Sequence, residues 1–134
     1  MRIVADTNVI FSGIFFGGIP GAIINAWRRD NIEFILSDEI LDEYSEVGYR
    51  MIETPAFEDY LIFLRLLLNR SPLVTPSTLS GQICSDPDDD KFIACALGGK
   101  GKVIVSGDKA LLECSGYQGI EILSPRDFVD KYLA

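Results

Sequence analysis

The sequence predicts an α/β fold, a three-layer sandwich in which helices cover both faces of a mostly parallel central sheet. Short apolar runs bounded by turn residues alternate along the chain with segments of helical period. The 134 residues, 48% of them hydrophobic, suffice for one domain with a sizeable core. No linker or shift in composition divides the chain, so residues 1–134 are interpreted as a single domain.

The first half of the chain alternates between predicted strands and helices. Its elements are a strand at 2–5, a helix from Pro20 to about Arg29, a strand at 33–36, and a helix capped by Ser37 that runs to about Val47.

The second half follows a connection interrupted by prolines. The segment Asp86–Asp90 opens a further helix, and Gly98-Gly99 is typical of a left-handed cap at its end. The remaining elements are a strand at 102–105, a short helix at 109–113, a strand at 120–123 and a final helix that starts at Ser124-Pro125.

Between the two halves, residues 57–68 form a predicted helix that is apolar on nearly every side. In so small a domain the sheet can cover only one of those sides. We therefore expect this helix to contact a second copy of the chain in a homo-oligomer, most simply a dimer; the alternative is a helix wedged deep inside this one domain.

Composition excludes several classes of function. The chain has no histidine, which rules out Ser-His-Asp hydrolases, Cys-His hydrolases and His-ligated zinc sites. The net charge of -8 argues against nucleic-acid binding through a basic surface. The three cysteines are widely spaced and are interpreted as buried free thiols, typical of a reducing compartment. Asp6 interrupts the start before a signal-peptide apolar stretch can form, so a cytoplasmic protein without a membrane segment is expected.

Acidic side chains follow the ends of predicted strands. Asp6 comes directly after the first strand, and Asp108 follows the strand at 103–105. The acidic segment Asp86–Asp90 opens a helix, and Glu43 lies at the border of the apolar face of its own helix, where it can lean over the sheet. Because ligands bind beyond the carboxyl ends of strands in open parallel sheets, we expect these acids to share one pocket.

Such a pocket favours a divalent cation. Carboxylates drawn together repel, and some of them protonate unless a cation is present. Oxygen ligands suit Mg²⁺ and Mn²⁺, which can polarise a phosphoryl oxygen and activate water. Taken singly, each acid could instead cap a turn, favour a helix N-terminus or be solvated. An EF-hand loop starting at Asp86 is excluded, because Lys91 and Leu97 stand where Gly and Glu are required.

Four ordered motifs make the chain similar to a known family. They are Val4–Val9, Ser37–Tyr44, Asp86–Ala96 and Val105–Lys109, followed by a closing Ile122–Pro125. This set resembles the PIN-domain family, and more narrowly its bacterial group of toxins from toxin–antitoxin pairs. The resemblance covers nearly the whole chain.

The resemblance implies a metal-dependent endoribonuclease that hydrolyses single-stranded RNA with one or two Mg²⁺ or Mn²⁺ ions. Matched motif by motif, the catalytic residues would be Asp6, Glu43, Asp90, Asp108 and Ser106, with the four acids as metal ligands. The candidates for orienting the site and contacting RNA are Asn8, Lys91 and Lys109. Whether Asp86, Asp88 or Asp89 contributes is left open. The family also implies a protein antitoxin as partner.

Two other functions remain open at this point. One is a non-catalytic protein of the same fold that only binds a partner, and the other is a nuclease of related fold that acts on DNA.

Overall fold

The central sheet has four strands in the order β2–β1–β3–β4, and every pairing is parallel. The structure is a computed structural model that describes residues 1–134. The strands are β1 (Arg2–Ala5), β2 (Glu33–Phe34), β3 (Val103–Val105) and β4 (Glu121–Leu123). Ile3 of β1 pairs with Phe34 on one side and Val103 on the other, and Ile104 pairs with Ile122. The predicted α/β fold with a parallel sheet is confirmed.

Seven α-helices flank this sheet. They are α1 (Thr7–Phe15), α2 (Gly18–Arg28), α3 (Asp38–Arg50), α4 (Ala56–Arg70), α5 (Asp90–Gly99), α6 (Lys109–Leu112) and α7 (Pro125–Phe128), with short 3₁₀ or π turns at Pro87–Asp89, Tyr117–Gly119 and Val129–Leu133. No single helix is both long and apolar enough to cross a membrane; α1 and α2 reach that length and composition only together, across a bend of 93°.

The segment after β1 differs from its prediction. A helix begins at Thr7, directly after Asp6, where the sequence predicted none before Pro20. Gly17 and Gly18 have φ angles of 65° and 62°, which end α1 and allow the sharp bend into α2. Gly17 and Gly18 therefore mark a corner between two helices.

The end of α5 also differs from its prediction. Gly98 and Gly99 lie inside the helix, and the left-handed cap is Lys100, with φ of 59°. A Cβ atom on Gly98 would stand 2.1 Å from the Thr75 carbonyl oxygen. These glycines are required for close packing rather than for the turn.

Two buried tyrosines fix α3 and α4 against the sheet. The Tyr44 hydroxyl donates to the Ala5 carbonyl at the end of β1. The Tyr60 hydroxyl of α4 donates to the Tyr44 carbonyl at 2.8 Å. Since both tyrosines are fully buried, these bonds place α3 firmly beside the carboxyl end of β1.

Helix α4 buries one apolar face and exposes another. Tyr60, Phe63, Leu64 and Leu67 join a core of 31 buried residues. Exposed apolar side chains on the opposite side are Ile62, Leu66 and Leu68, with 53%, 44% and 46% of their surface accessible. The helix is therefore not covered on all sides within one chain.

The three cysteines are free thiols. Cys84 and Cys95 are buried, as expected, whereas Cys114 is half-buried. The sulfur atoms of Cys84 and Cys114 lie 3.1 Å apart.

Candidate active site

The carboxyl ends of β1 and β3 open into a cavity of about 610 Å³. Most of the polar residues that surround it are acidic, and one, Arg50, is basic. The lining residues are Asp6, Thr7, Asn8, Glu43, Glu46, Val47, Arg50, Asp86, Asp88, Asp89, Phe92, Gly107 and Asp108.

Asp6 is held rigidly at the floor of this cavity. Its amide donates to the Val105 carbonyl at 2.9 Å, which extends the ladder between β1 and β3 by one residue. Its Oδ2 accepts a 2.6 Å hydrogen bond from the hydroxyl of Ser106, which is fully buried. Burial raises the pKa of Asp6, although the hydrogen bond from Ser106 acts in the opposite direction.

Ser106 also fixes Asp108. The Ser106 hydroxyl oxygen accepts from the Asp108 amide at 2.9 Å. Asp108 Oδ1 in turn accepts from the Ala110 amide at 2.9 Å and caps α6. The family resemblance implies that Ser106 positions a ligand or the scissile phosphate; in the structure it lies behind Asp6, outside the cavity lining, where it holds the Asp6 carboxylate. One buried hydroxyl thus sets the positions of two acids.

Glu43 reaches the cavity from α3, as its position on the helical wheel predicts. One carboxylate oxygen accepts from the Thr7 hydroxyl at the start of α1. The other lies 2.6 Å from Lys91 Nζ. Both oxygens of Glu43 therefore have a partner from another element.

Asp90 lies outside the cavity, contrary to the prediction that it is the acid of its motif that faces the site. Its two carboxylate oxygens accept the Ile83 and Cys84 amides at 3.0 and 2.8 Å. Burial disfavours the charge, but these two donors outweigh it and lower the pKa of Asp90. In this structure Asp90 closes the loop before α5, and its predicted role as a metal ligand is not supported by its position.

Asp89 takes that place in the cavity. Only 6% of its surface is exposed, and its Oδ2 has no hydrogen-bond partner. Burial, contact with the Asp108 carboxylate, and the charges of Asp86 and Asp6 raise the pKa of Asp89 to about 7. Two carboxylates in contact share either a proton or a cation. We therefore expect the Asp89–Asp108 pair to bind a proton when no metal is present and a cation when one is available.

The predicted RNA-binding residues differ in their exposure to solvent and in whether they are already paired with an acid. Asn8 is exposed at the cavity wall, and Lys109 is exposed beside Asp108. Lys91 departs from its prediction: its side chain is only 10% exposed and is paired with Glu43 and Asp88, so it is not free to meet a phosphate. Arg50, which the sequence reading missed, is exposed and lines the cavity.

The donor set fits a divalent cation. The side chains at the floor offer carboxylate oxygen, which Mg²⁺ and Mn²⁺ prefer, and Asp89 contributes a buried oxygen that has no partner within the protein. No three acidic side chains converge closely enough to hold a metal ion in this structure, so a bound cation would have to draw them together. Asp6, Asp89 and Asp108 are the residues whose burial and contacts suit them best to hold such an ion.

Two cavity-lining residues that the sequence analysis does not predict, Glu46 and Arg50, nevertheless have a signal in the sequence. Glu43, Glu46, Val47 and Arg50 follow the i, i+3, i+4, i+7 spacing of one helical face. The sequence predicts that this helix runs only to about Val47, whereas α3 extends to Arg50, and Glu46 and Arg50 both line the cavity. By contrast, nothing in the sequence separates Asp89 from Asp90, since either could open α5.

Comparison with known proteins gives two matches. A family model for the PIN domain matches residues 2–110. The chain is also 28% identical to an uncharacterized protein of Methanocaldococcus jannaschii, in an alignment that covers 98% of this chain and 92% of that protein.

Proposed function

Because the chain belongs to the PIN-domain family, whose members are generally metal-dependent nucleases, we propose that it is an endoribonuclease that hydrolyses phosphodiester bonds of single-stranded RNA. The observation that carries the proposal is that Asp6, Asp89 and Asp108 line one cavity at this edge of the sheet, where Asp89 keeps a buried oxygen without a hydrogen-bond partner. Such a cluster is unfavourable without a cation, and a protein that only bound a partner through its surface would have no need of it.

The acids of the cavity floor would hold one or two Mg²⁺ or Mn²⁺ ions, with Asp6, Asp89 and Asp108 as ligands. A bound ion of this kind polarises the phosphoryl oxygen and lowers the pKa of water, so hydrolysis needs no histidine. Ser106 keeps the Asp6 carboxylate in place, which pre-organises the floor.

The walls of the cavity have separate roles in this proposal. Glu43, held by Thr7, stands at the wall and orients the attacking water. Asn8, Arg50 and Lys109 are the polar and basic groups close enough to the cavity to contact the RNA backbone.

Substitution of the floor acids tests the proposal. Asp6→Asn and Asp108→Asn should each abolish cleavage of a labelled single-stranded RNA in Mn²⁺, and EDTA should abolish it in the wild type. Both variants should fold at least as stably as the wild type without metal, because like-charge repulsion is relieved. The control is Asp130→Asn, an exposed acid outside the cavity lining, which should cleave normally.

The outcomes separate the alternatives. Full activity in EDTA or in Asp6→Asn would remove the nuclease mechanism. Fresh protein with Mn²⁺ that cleaves no RNA would favour a binding protein of the same fold. Faster cleavage of a DNA strand of the same sequence would favour a DNA-directed nuclease.

The chain is further proposed to act as the toxin of a toxin–antitoxin pair. The support is the resemblance of its motifs to bacterial toxins and the acidity of the cavity, which suits a basic peptide from an antitoxin. Expression of the chain without a partner in a bacterial host should arrest growth, and Asp6→Asn should relieve the arrest. Normal growth with soluble, active protein would contradict the toxin role.

We also propose that α4 contacts a second copy of the chain. The support is its exposed apolar face, where Ile62 and Leu66 border a groove with Ile14 and Phe15. Light scattering should give a dimer for the wild type and a monomer for Ile62→Glu/Leu66→Glu. A wild-type monomer at all concentrations would overturn this part.

A further inference from the structure

Lys91 is a nearly buried cation that bridges three segments of the chain. It lies in the first turn of α5, and only 10% of its side chain is exposed. Its ammonium group is 2.6 Å from Glu43 Oε1 of α3 and 3.1 Å from Asp88 Oδ1 of the turn at Pro87–Asp89. Two carboxylates therefore compete for one lysine that has little access to solvent.

The two partners of Lys91 differ in exposure. The Asp88 side chain is 73% exposed, whereas that of Glu43 is 24% exposed. Exposed ion pairs contribute little, while a pair shielded from water interacts more strongly. The contact with Glu43 is therefore the stronger of the two.

Glu43 is consequently clamped from two sides. The Thr7 hydroxyl holds one of its oxygens from α1, and Lys91 holds the other from α5. Glu43 lines the cavity but Lys91 does not, so the ammonium group contacts the carboxylate from outside the cavity lining. A divalent cation in the cavity would meet a Glu43 whose charge is already balanced.

We propose that Lys91 is a positioning residue that holds Glu43 at the cavity wall and, as a fixed counter-ion, weakens the attraction of the cavity for divalent cations. The proposal rests on the nuclease function for its kinetic part only. Its two consequences point in opposite directions: removal of the lysine should strengthen cation binding and weaken catalysis. If Lys91 had a merely structural role, its removal would weaken both cation binding and catalysis.

Binding of Mn²⁺ alone tests the electrostatic part, because it needs neither RNA nor cleavage. Lys91→Met should bind Mn²⁺ about tenfold more tightly than the wild type, measured from the electron paramagnetic resonance signal of free Mn²⁺. The matched control is Lys131→Met, which removes the lysine of an exposed pair with Glu121 outside the cavity lining and should bind Mn²⁺ as the wild type does. Unchanged or weaker Mn²⁺ binding by Lys91→Met overturns the counter-ion role.

Kinetics on a labelled single-stranded RNA test the positioning part. Lys91→Met should lower kcat by about tenfold or more at saturating Mn²⁺ with KM unchanged, and Lys91→Arg should recover most of kcat. If Lys91 bound an RNA phosphate instead, KM would rise and kcat would hold, which overturns positioning.

Thermal unfolding in EDTA distinguishes failure of this inference from failure of the proposed function. Lys91→Met should lower Tm by about 5 °C in the wild-type background and by clearly less in a Glu43→Gln background, because the partner is already neutral. Equal losses in both backgrounds overturn the Lys91–Glu43 pairing. A wild type that cleaves no RNA but shows this coupling and the tighter Mn²⁺ binding overturns the nuclease function and supports the counter-ion role.

Discussion

Asp89 and Asp90 are neighbours in the chain with opposite environments. Asp90 faces two backbone amides that satisfy both of its oxygens. Asp89 faces another carboxylate and keeps a buried oxygen without a partner. The first arrangement stabilises a loop, and the second stores electrostatic repulsion at a place where a cation can relieve it.

This contrast gives a paired prediction. Asp89→Asn should lower RNA cleavage by at least about 100-fold while the protein stays folded, because a ligand oxygen of the floor is lost. Asp90→Asn should lower cleavage by about tenfold or less but lower the free energy of unfolding by about 1–3 kcal/mol, since two amides lose part of a charged acceptor. Cleavage rates and urea unfolding of the two variants decide the matter. The reverse pattern would return the catalytic role to Asp90.

The raised pKa of Asp89 also predicts how stability depends on pH. In the absence of metal the folded protein keeps a proton on Asp89 up to a pKa of about 7, whereas the unfolded chain releases it near 3.8. Because the folded state binds more protons across this window, the stability from this group is present at low pH and is lost as pH rises through about 7.

The measurement is thermal unfolding in EDTA at pH 5 and pH 8. The Tm of Asp89→Asn, relative to that of the wild type, should rise by about 10 °C between these two values, because asparagine does not titrate. Addition of Mn²⁺ should restore the Tm that the wild type loses at pH 8. A constant difference between the two proteins would show that Asp89 is ionised throughout.

At the scale of secondary-structure elements, the C-terminal half of α5 depends on close packing against the segment 75–77. The Ser77 amide donates to the Ala94 carbonyl at 3.0 Å, so the backbone of this segment is in direct contact with the backbone of α5. An added Cβ on Gly98 would meet only backbone atoms, at 2.1, 2.8 and 2.9 Å. Backbone held by such a bond cannot move aside as a flexible side chain can.

Gly98→Ala should therefore lower the free energy of unfolding by about 3 kcal/mol or more. The matched control is Gly21→Ala, also inside a helix, where the nearest atom to an added Cβ is 3.7 Å away. That change should raise stability by up to about 1 kcal/mol through helix propensity. Urea unfolding measures both, and similar values for the two variants would contradict the packing role of Gly98.

Prediction of the elements from sequence worked where a pattern is local. The strands were found because a parallel, buried strand is a continuous apolar run, as at positions 3–5 of β1 and in Val103–Val105. The helix α1 was missed because Gly13 and Gly17 suggest a loop, whereas Gly13 actually packs against Pro20 and Ile24 of the next helix. A glycine needed for contact between elements has no local signal that separates it from one needed for a turn.

At the scale of the whole molecule, the location of the site could be predicted from topology. Asp6 and Asp108 follow adjacent parallel strands, so the sheet itself brings them to one edge. The choice between Asp89 and Asp90 depends instead on the 3₁₀ turn at Pro87–Asp89, whose tighter winding changes which carboxylate points inward. The pairing of Lys91 with Glu43 depends on how α3 and α5 pack, which the sequence of neither helix contains.

The charge of the molecule leads to a last prediction, on how RNA binding responds to salt. The net charge is -8, and the basic residues at or beside the cavity that are free of ion pairs are Arg50 and Lys109. Each phosphate contact to a single strand contributes a slope of about −0.7 to log K against log salt, so two contacts give about −1.4.

Fluorescence anisotropy with the Asp6→Asn protein, which should bind RNA without cutting it, measures this slope at constant Mn²⁺. Arg50→Gln should make it shallower by about 0.7, whereas Arg65→Gln on the exposed side of α4 should leave it unchanged. A slope steeper than about −4 would mean that RNA binds a basic surface remote from the cavity. Because a single chain is so acidic, we would then expect that surface to combine basic groups from two copies of the chain.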